Sequence, residues 1–212
     1  MTRFIMIRHG FSVANNEKRF AGHMDFPLTE LGKQQAERCA VALKDVKIDA
    51  IYASDLKRAY ETAVPVAKAL GFEIIPHKGL REIYAGEWEG LSFDELCEKY
   101  PVSYTTWRED NGRAVCDGGE STAELYARVT SALGEIAAAH RGETVCIATH
   151  ATPIRAVNTA SKGFGAERMG EVKWTANASI SIFEYEDGVF TAVEISNTDH
   201  LGDLRTAFPS NV

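Results

Sequence analysis

Phe4-Ile5-Met6-Ile7 is an unbroken apolar run, which predicts a strand over about residues 3–8 that is buried on both faces. Arg8-His9-Gly10 then ends the run on two polar side chains and a glycine that frees the backbone to turn. A loop bearing glycine and proline continues to Pro27. Leu31, Ala36, Cys39, Ala40 and Leu43 recur at helical spacing, so a helix capped by Thr29 is expected to about Lys44. Asp49 to Ser54 reads as a second strand, 56–70 as a second helix stopped by Gly71, and Phe72 to Ile75 as a third strand closed by Pro76. Residues 80–120 break the rhythm: helical signal is short, from about Phe93 to Tyr100, and Gly86, Gly90, Pro101, Gly112, Gly118 and Gly119 interrupt it. Ser121 with Glu124 three residues on forms a capping box, opening a long helix to about His140. Thr144 to Thr149 repeats the buried-strand pattern and delivers His150. Thr152-Pro153 is expected to start a helix with proline at its first position. Ile180 to Ile195 alternates around Asp187-Gly188, a hairpin signal, and the tail from Asn197 is expected to be irregular.

Strands alternating with helices predict an α/β fold, a three-layer sandwich with a mainly parallel central sheet and an antiparallel edge from the hairpin. The chain's 212 residues, 45% of them hydrophobic, suit one domain over 1–212 with a lid-like insertion at about 83–118. The net charge of −7 gives no electrostatic reason to expect nucleic acid or an anionic membrane as partner. Cys39, Cys97, Cys116 and Cys146 form no CxxC and no Cys/His cluster of metal spacing, and no apolar run approaches the ~20 residues that span a bilayer. A cytoplasmic location with reduced thiols is the expectation. The exposed edge of the terminal hairpin offers a homodimer contact.

Chemistry concentrates at strand ends, where ligands sit in α/β folds. His9 and His150 each follow a buried strand directly. If those strands are neighbours, both imidazoles emerge at one rim. Arg58 opens the second helix, close behind another strand end, and reaches the same rim. A guanidinium binds two phosphate oxygens in a planar fork and keeps its charge. Glu82, Glu87 and Glu89 crowd one stretch, and sequence physics does not choose among them. Ser54 and Thr149 serve equally as strand-end caps or as hydrogen-bonding groups at the rim. Zinc would need three or four ligands at recognisable spacing, and a serine hydrolase a GxSxG elbow; neither is present. No metal site and no cofactor are expected.

Taken together, Arg8-His9-Gly10, the Gly22-to-Gly32 stretch, Ser54-Asp55-Leu56-Lys57-Arg58-Ala59, Leu80-Arg81-Glu82 with Gly86-Glu87-Trp88-Glu89-Gly90, Gly119-Glu120-Ser121 and Thr149-His150 resemble the histidine phosphatase superfamily, the phosphoglycerate mutase-like group. The resemblance runs from residue 3 to about 160. It implies that His9 accepts the phosphoryl group, that Arg8, Arg58 and His150 surround that group, and that Glu82 is the proton donor to the leaving oxygen. Asn15 falls at the family's substrate-pocket asparagine. Phe11 stands where glutamate is common, and is placed to add an apolar wall; Ala151 stands where glycine is common. Family mutases usually carry a longer insertion and Glu-Arg-x-Tyr-Gly at the proton-donor loop. Here Glu82 is followed by Ile83-Tyr84-Ala85-Gly86, which resembles the phosphatase branch. The implied activity is metal-independent hydrolysis of a small phosphorylated substrate. A mutase-type transfer and a catalytically idle phospho-ligand binder are the alternatives.

Overall fold

The computed structural model describes residues 1–207. Its centre is a six-stranded sheet built from β1 (Thr2–Arg8), β2 (Ala50–Ala53), β3 (Ile74–Pro76), β4 (Thr144–Thr149), β5 (Ile180–Glu186) and β6 (Val189–Asn197), in the order β3-β2-β4-β1-β5-β6. The first four strands are parallel, and β5 and β6 supply the antiparallel edge. Among the described residues seven α-helices accompany them: α1 (Val13–Asn16), α2 (Glu30–Leu43), α3 (Lys57–Leu70), α4 (Phe93–Lys99), α5 (Pro101–Glu109), α6 (Thr122–Ala139) and α7 (Ala151–Ala160).

The unbroken apolar runs have a direct cause. Successive strand side chains point to opposite faces, and both faces are covered. Phe4 and Met6 pack with Leu125, Val129 and Leu133 of α6 and Ile154 and Val157 of α7. Ile5 and Ile7 pack with Cys39 and Leu43 of α2 and Ala63 and Val66 of α3. Burying each large side chain of this kind is worth roughly 1.5–3 kcal/mol. Trp88, Leu96, Tyr104 and Trp107, from residues 83–118, join the first of these two clusters.

The caps follow the expected chemistry. Thr29 accepts from the Gly32 N–H at 3.1 Å, Gly71 ends α3 at φ 74°, and Ser121 and Glu124 form the reciprocal box that opens α6. The structure corrects five details. β3 starts later than expected and includes Pro76, which an edge strand tolerates because its missing N–H faces no partner. α4 ends at Lys99, just before Pro101 as expected, but Pro101 then occupies the first turn of a further helix, α5, where no intrahelical N–H bond is required. α7 begins at Ala151, with His150 as the residue before its first turn and Pro153 inside that turn. The loop before Pro27 holds α1, capped reciprocally by Ser12 and Asn15. Short 3₁₀ turns over Asp199–Leu204 replace the irregular tail, whose residues 208–212 lie outside the described part.

Candidate active site

Parallel pairing of β1 with β4 sets Arg8 level with Thr149, so His9 and His150 leave the sheet at the same height. Their ring centroids lie 5.2 Å apart at 61°. The His9 N–H donates to the Thr149 carbonyl at 2.9 Å, while the His9 carbonyl accepts from Asn177 Nδ2 at 3.1 Å and from the Ala178 N–H at 3.2 Å. His9 is thus pinned through its backbone on both sides.

The hydrogen bonds also fix its tautomer. Nδ1 faces the Gly10 carbonyl at 2.8 Å, and a carbonyl only accepts, so Nδ1 carries the proton and Nε2 keeps its lone pair. Burial, then the Arg58 and Arg8 charges, hold the His9 pKa well below the usual histidine value. Burial and the same cations, with His9 and His23, do likewise for His150. His150 Nε2 lies 2.8 Å from Ser54 Oγ, which already accepts from the Leu56 N–H at 3.3 Å. The serine hydroxyl suits either tautomer of the neutral ring, and where it donates to Nε2 the ring proton sits on Nδ1. That atom is buried and meets no hydrogen-bond acceptor among the described residues.

Arg58 is 1% exposed, and its two terminal nitrogens donate to the Met24 and Gly22 carbonyls at 2.9 and 2.8 Å, which fix the guanidinium plane. Arg8, also buried, donates to the Thr175 carbonyl. Burial lowers both guanidinium pKa values to about 10, so both remain cations at neutral pH. Glu82 faces them; its carboxylate accepts from the Ile83 N–H at 2.8 Å and the Thr152 N–H at 3.4 Å.

Arg8, His9, Asn15, Arg58, Glu82 and Ala151 line one cleft, and His150 sits fully buried beside His9. Asn15 Oδ1 accepts from Ser12 and Asn177, which commits its oxygen and leaves the amide N–H groups as donors. Phe11 does not line this cleft. Its backbone is spent on Gln35 and Thr29, and the apolar walls are instead Phe20, Phe93, Trp107 and Trp174, with Arg19 and Ser12 beside them. None of these six was singled out from sequence. An apolar side chain facing a cleft has the same spacing signature as one facing a core. Among the described residues no group of three or more His, Cys, Asp or Glu side chains could hold a metal ion, and no helix is long and apolar enough to cross a membrane.

An uncharged imidazole with a free lone pair, set among buried cations inside an acidic protein, is suited to a phosphoryl group. Comparison with known proteins gives the family. The profile of the Histidine phosphatase superfamily (branch 1) matches residues 4–198, and the chain belongs to that superfamily. It is a phosphatase-family enzyme, a hydrolase. Phosphoserine phosphatase 1 of Hydrogenobacter thermophilus is 35% identical over 207 residues, covering 96% of each chain. Phosphoglycerate mutase-like protein 4 of Arabidopsis thaliana is 33% identical, covering 96% of this chain and 90% of that protein. Among solved structures, Bacillus stearothermophilus YhfR superposes with a TM-score of 0.90 at 31% identity, over 95% of this chain and all of that one (100%).

Proposed function

We propose that the protein hydrolyses a small phosphate monoester through a phosphohistidine on His9. The observation that carries this reading is the neutral His9 ring, with Nε2 unprotonated, lining the same cleft as Arg8, Arg58 and Glu82. In the first step Nε2 attacks phosphorus and the ester P–O bond breaks. Glu82 gives its proton to the departing oxygen, and an N–P bond to His9 remains. In the second step water attacks phosphorus, Glu82 takes back a proton, the N–P bond breaks, and inorganic phosphate leaves with His9 restored. Arg8, Arg58, the His150 imidazole and the Asn15 amide hold the phosphoryl oxygens, whose charge is spread in a loose transition state. The segment 83–118 acts as a lid, supplying Phe93 and Trp107 to the wall that meets the organic part of the substrate. Supporting the phosphatase reading over a mutase is the Ile83-Tyr84-Ala85-Gly86 stretch after Glu82 and the relative named phosphoserine phosphatase.

The test uses p-nitrophenyl phosphate and a panel of small metabolite phosphates, with chelator and without added metal. His9→Ala is expected to abolish turnover. Single-turnover chase of labelled enzyme is expected to release the label to water. Release to an added glycerate acceptor instead makes the protein a mutase, and the absence of His9-dependent turnover on every ester makes it a binding protein.

A further inference from the structure

Residues 81–85, which carry Glu82, belong to no helix or strand. Their backbone groups are held by side chains from elsewhere. Arg128 of α6 spends all five N–H donors here. Nη1 reaches the Gly79 and Arg81 carbonyls, both at 3.0 Å, and Nη2 reaches the Glu82 carbonyl at 3.1 Å. Nε and Nη2 meet the two carboxylate oxygens of Glu120 at 2.8 Å each. Glu120 in turn bonds Tyr84 twice, by its own backbone N–H at 2.7 Å and by its carboxylate at 3.1 Å. His23 adds a second donor to the Glu82 carbonyl, Nε2 at 2.9 Å. Neither Arg128 nor Glu120 lines the cleft.

We infer that Arg128, oriented by Glu120, is a positioning residue that sets the reach of the Glu82 carboxyl to the leaving oxygen. This rests on the proton-donor role given to Glu82 above. A guanidinium presents its donors in a rigid plane, so one side chain fixes three carbonyls within four residues at once; a lysine ammonium has no such fork. A loop with no ladder of its own shifts when that plane is lost, and proton transfer tolerates little misplacement.

The two ester classes separate this role from general support of the fold. An alkyl phosphate needs its leaving oxygen protonated, whereas p-nitrophenolate leaves unaided. The comparison uses kcat/KM, which reports phosphorylation of His9, because hydrolysis of the phosphoenzyme is common to both esters. Arg128→Gln is expected to lower kcat/KM on glycerol phosphate at least tenfold more than on p-nitrophenyl phosphate, with Glu82→Gln as the reference for full selectivity. The double variant is expected to be no more selective than Glu82→Gln alone. Glu120→Gln, which keeps a planar acceptor, should move the ratio in the same direction by less, and it carries the test if circular dichroism shows Arg128→Gln unfolded. Equal losses on both esters in the Arg128 and Glu120 variants, with Glu82→Gln selective, overturn the inference. A non-selective Glu82→Gln instead removes the proton-donor role and this inference with it.

Discussion

His9 and His150 are kept neutral by burial first and by neighbouring guanidinium charge second. Two consequences follow for pH. The acid limb of kcat/KM should lie well below the usual histidine range, since His9 already holds its lone pair there. Arg58→Met removes a cation that depresses the His9 pKa, so that limb should move to higher pH. The same variant should lose on the order of 10²–10³ in kcat, the usual scale for removing one transition-state donor. A pH profile of the two enzymes on p-nitrophenyl phosphate checks both; an unmoved limb would separate Arg58 from the electrostatics of His9. The second consequence concerns stability. Both folded-state values are depressed, so in acid the unfolded chain binds protons that the folded chain refuses. Stability is fully present above the unfolded value of ~6.5 and falls below it by up to roughly 1.4 kcal/mol per pH unit for each histidine. Urea denaturation at pH 7.5 and 5.5 should show that loss, with a shallower pH slope in His150→Asn.

Between elements, the close approach of the His9 loop to the start of α2 sets the tightest demand. A Cβ on Gly10 would stand 2.5 Å from the Gly32 carbonyl oxygen, and one on Gly32 would stand 2.2 Å from that of Phe11. Gly10→Ala should therefore cost about 1–3 kcal/mol in urea unfolding, the usual scale of overpacking, and more than Gly71→Ala, where the backbone is left-handed but the space is open. From sequence Gly10 reads as a turn residue; the need is steric, and it becomes visible only when α2 is in place. The same divide runs through the rest of the chain. The strands were legible because burial on both faces leaves an apolar run, and α2, α3 and α6 because their caps are local. The parallel pairing of β1 with β4, on which the two imidazoles depend, is non-local and leaves no mark on either segment. His9, Arg58 and His150 could be ranked because strand ends are readable. Among the three glutamates, Glu82 could be chosen only by resemblance. Arg128 escaped because it works through backbone carbonyls, which carry no residue code.

At the scale of the molecule, the cleft offers a substrate both charge and apolar surface. A chain of net charge −7 gathers Arg8 and Arg58 in a cleft that Phe20, Phe93, Trp107 and Trp174 also line. Trp174 is braced by two neighbours. Its ring lies 6.0 Å from Trp107 and under the guanidinium of Arg155, 4.1 Å from the centroid, and Arg155 is itself buried and tied to the Val172 and Gly170 carbonyls. A wall held this way presents a fixed flat face, and a flat face favours planar or bulky apolar leaving groups over small polar ones. Trp174→Ala should accordingly raise KM for naphthyl phosphate about tenfold, the ~1.4 kcal/mol expected for losing one aromatic contact. KM and kcat for a short alkyl phosphate, which has little apolar surface to set against the ring, should stay within about twofold. The comparison belongs in one series of esters of increasing apolar size, because only a change graded with size reports the wall. A uniform loss across the series would instead mean that Trp174 supports Trp107 and the fold around it, and that selectivity for the organic part lies with Phe20 and Phe93.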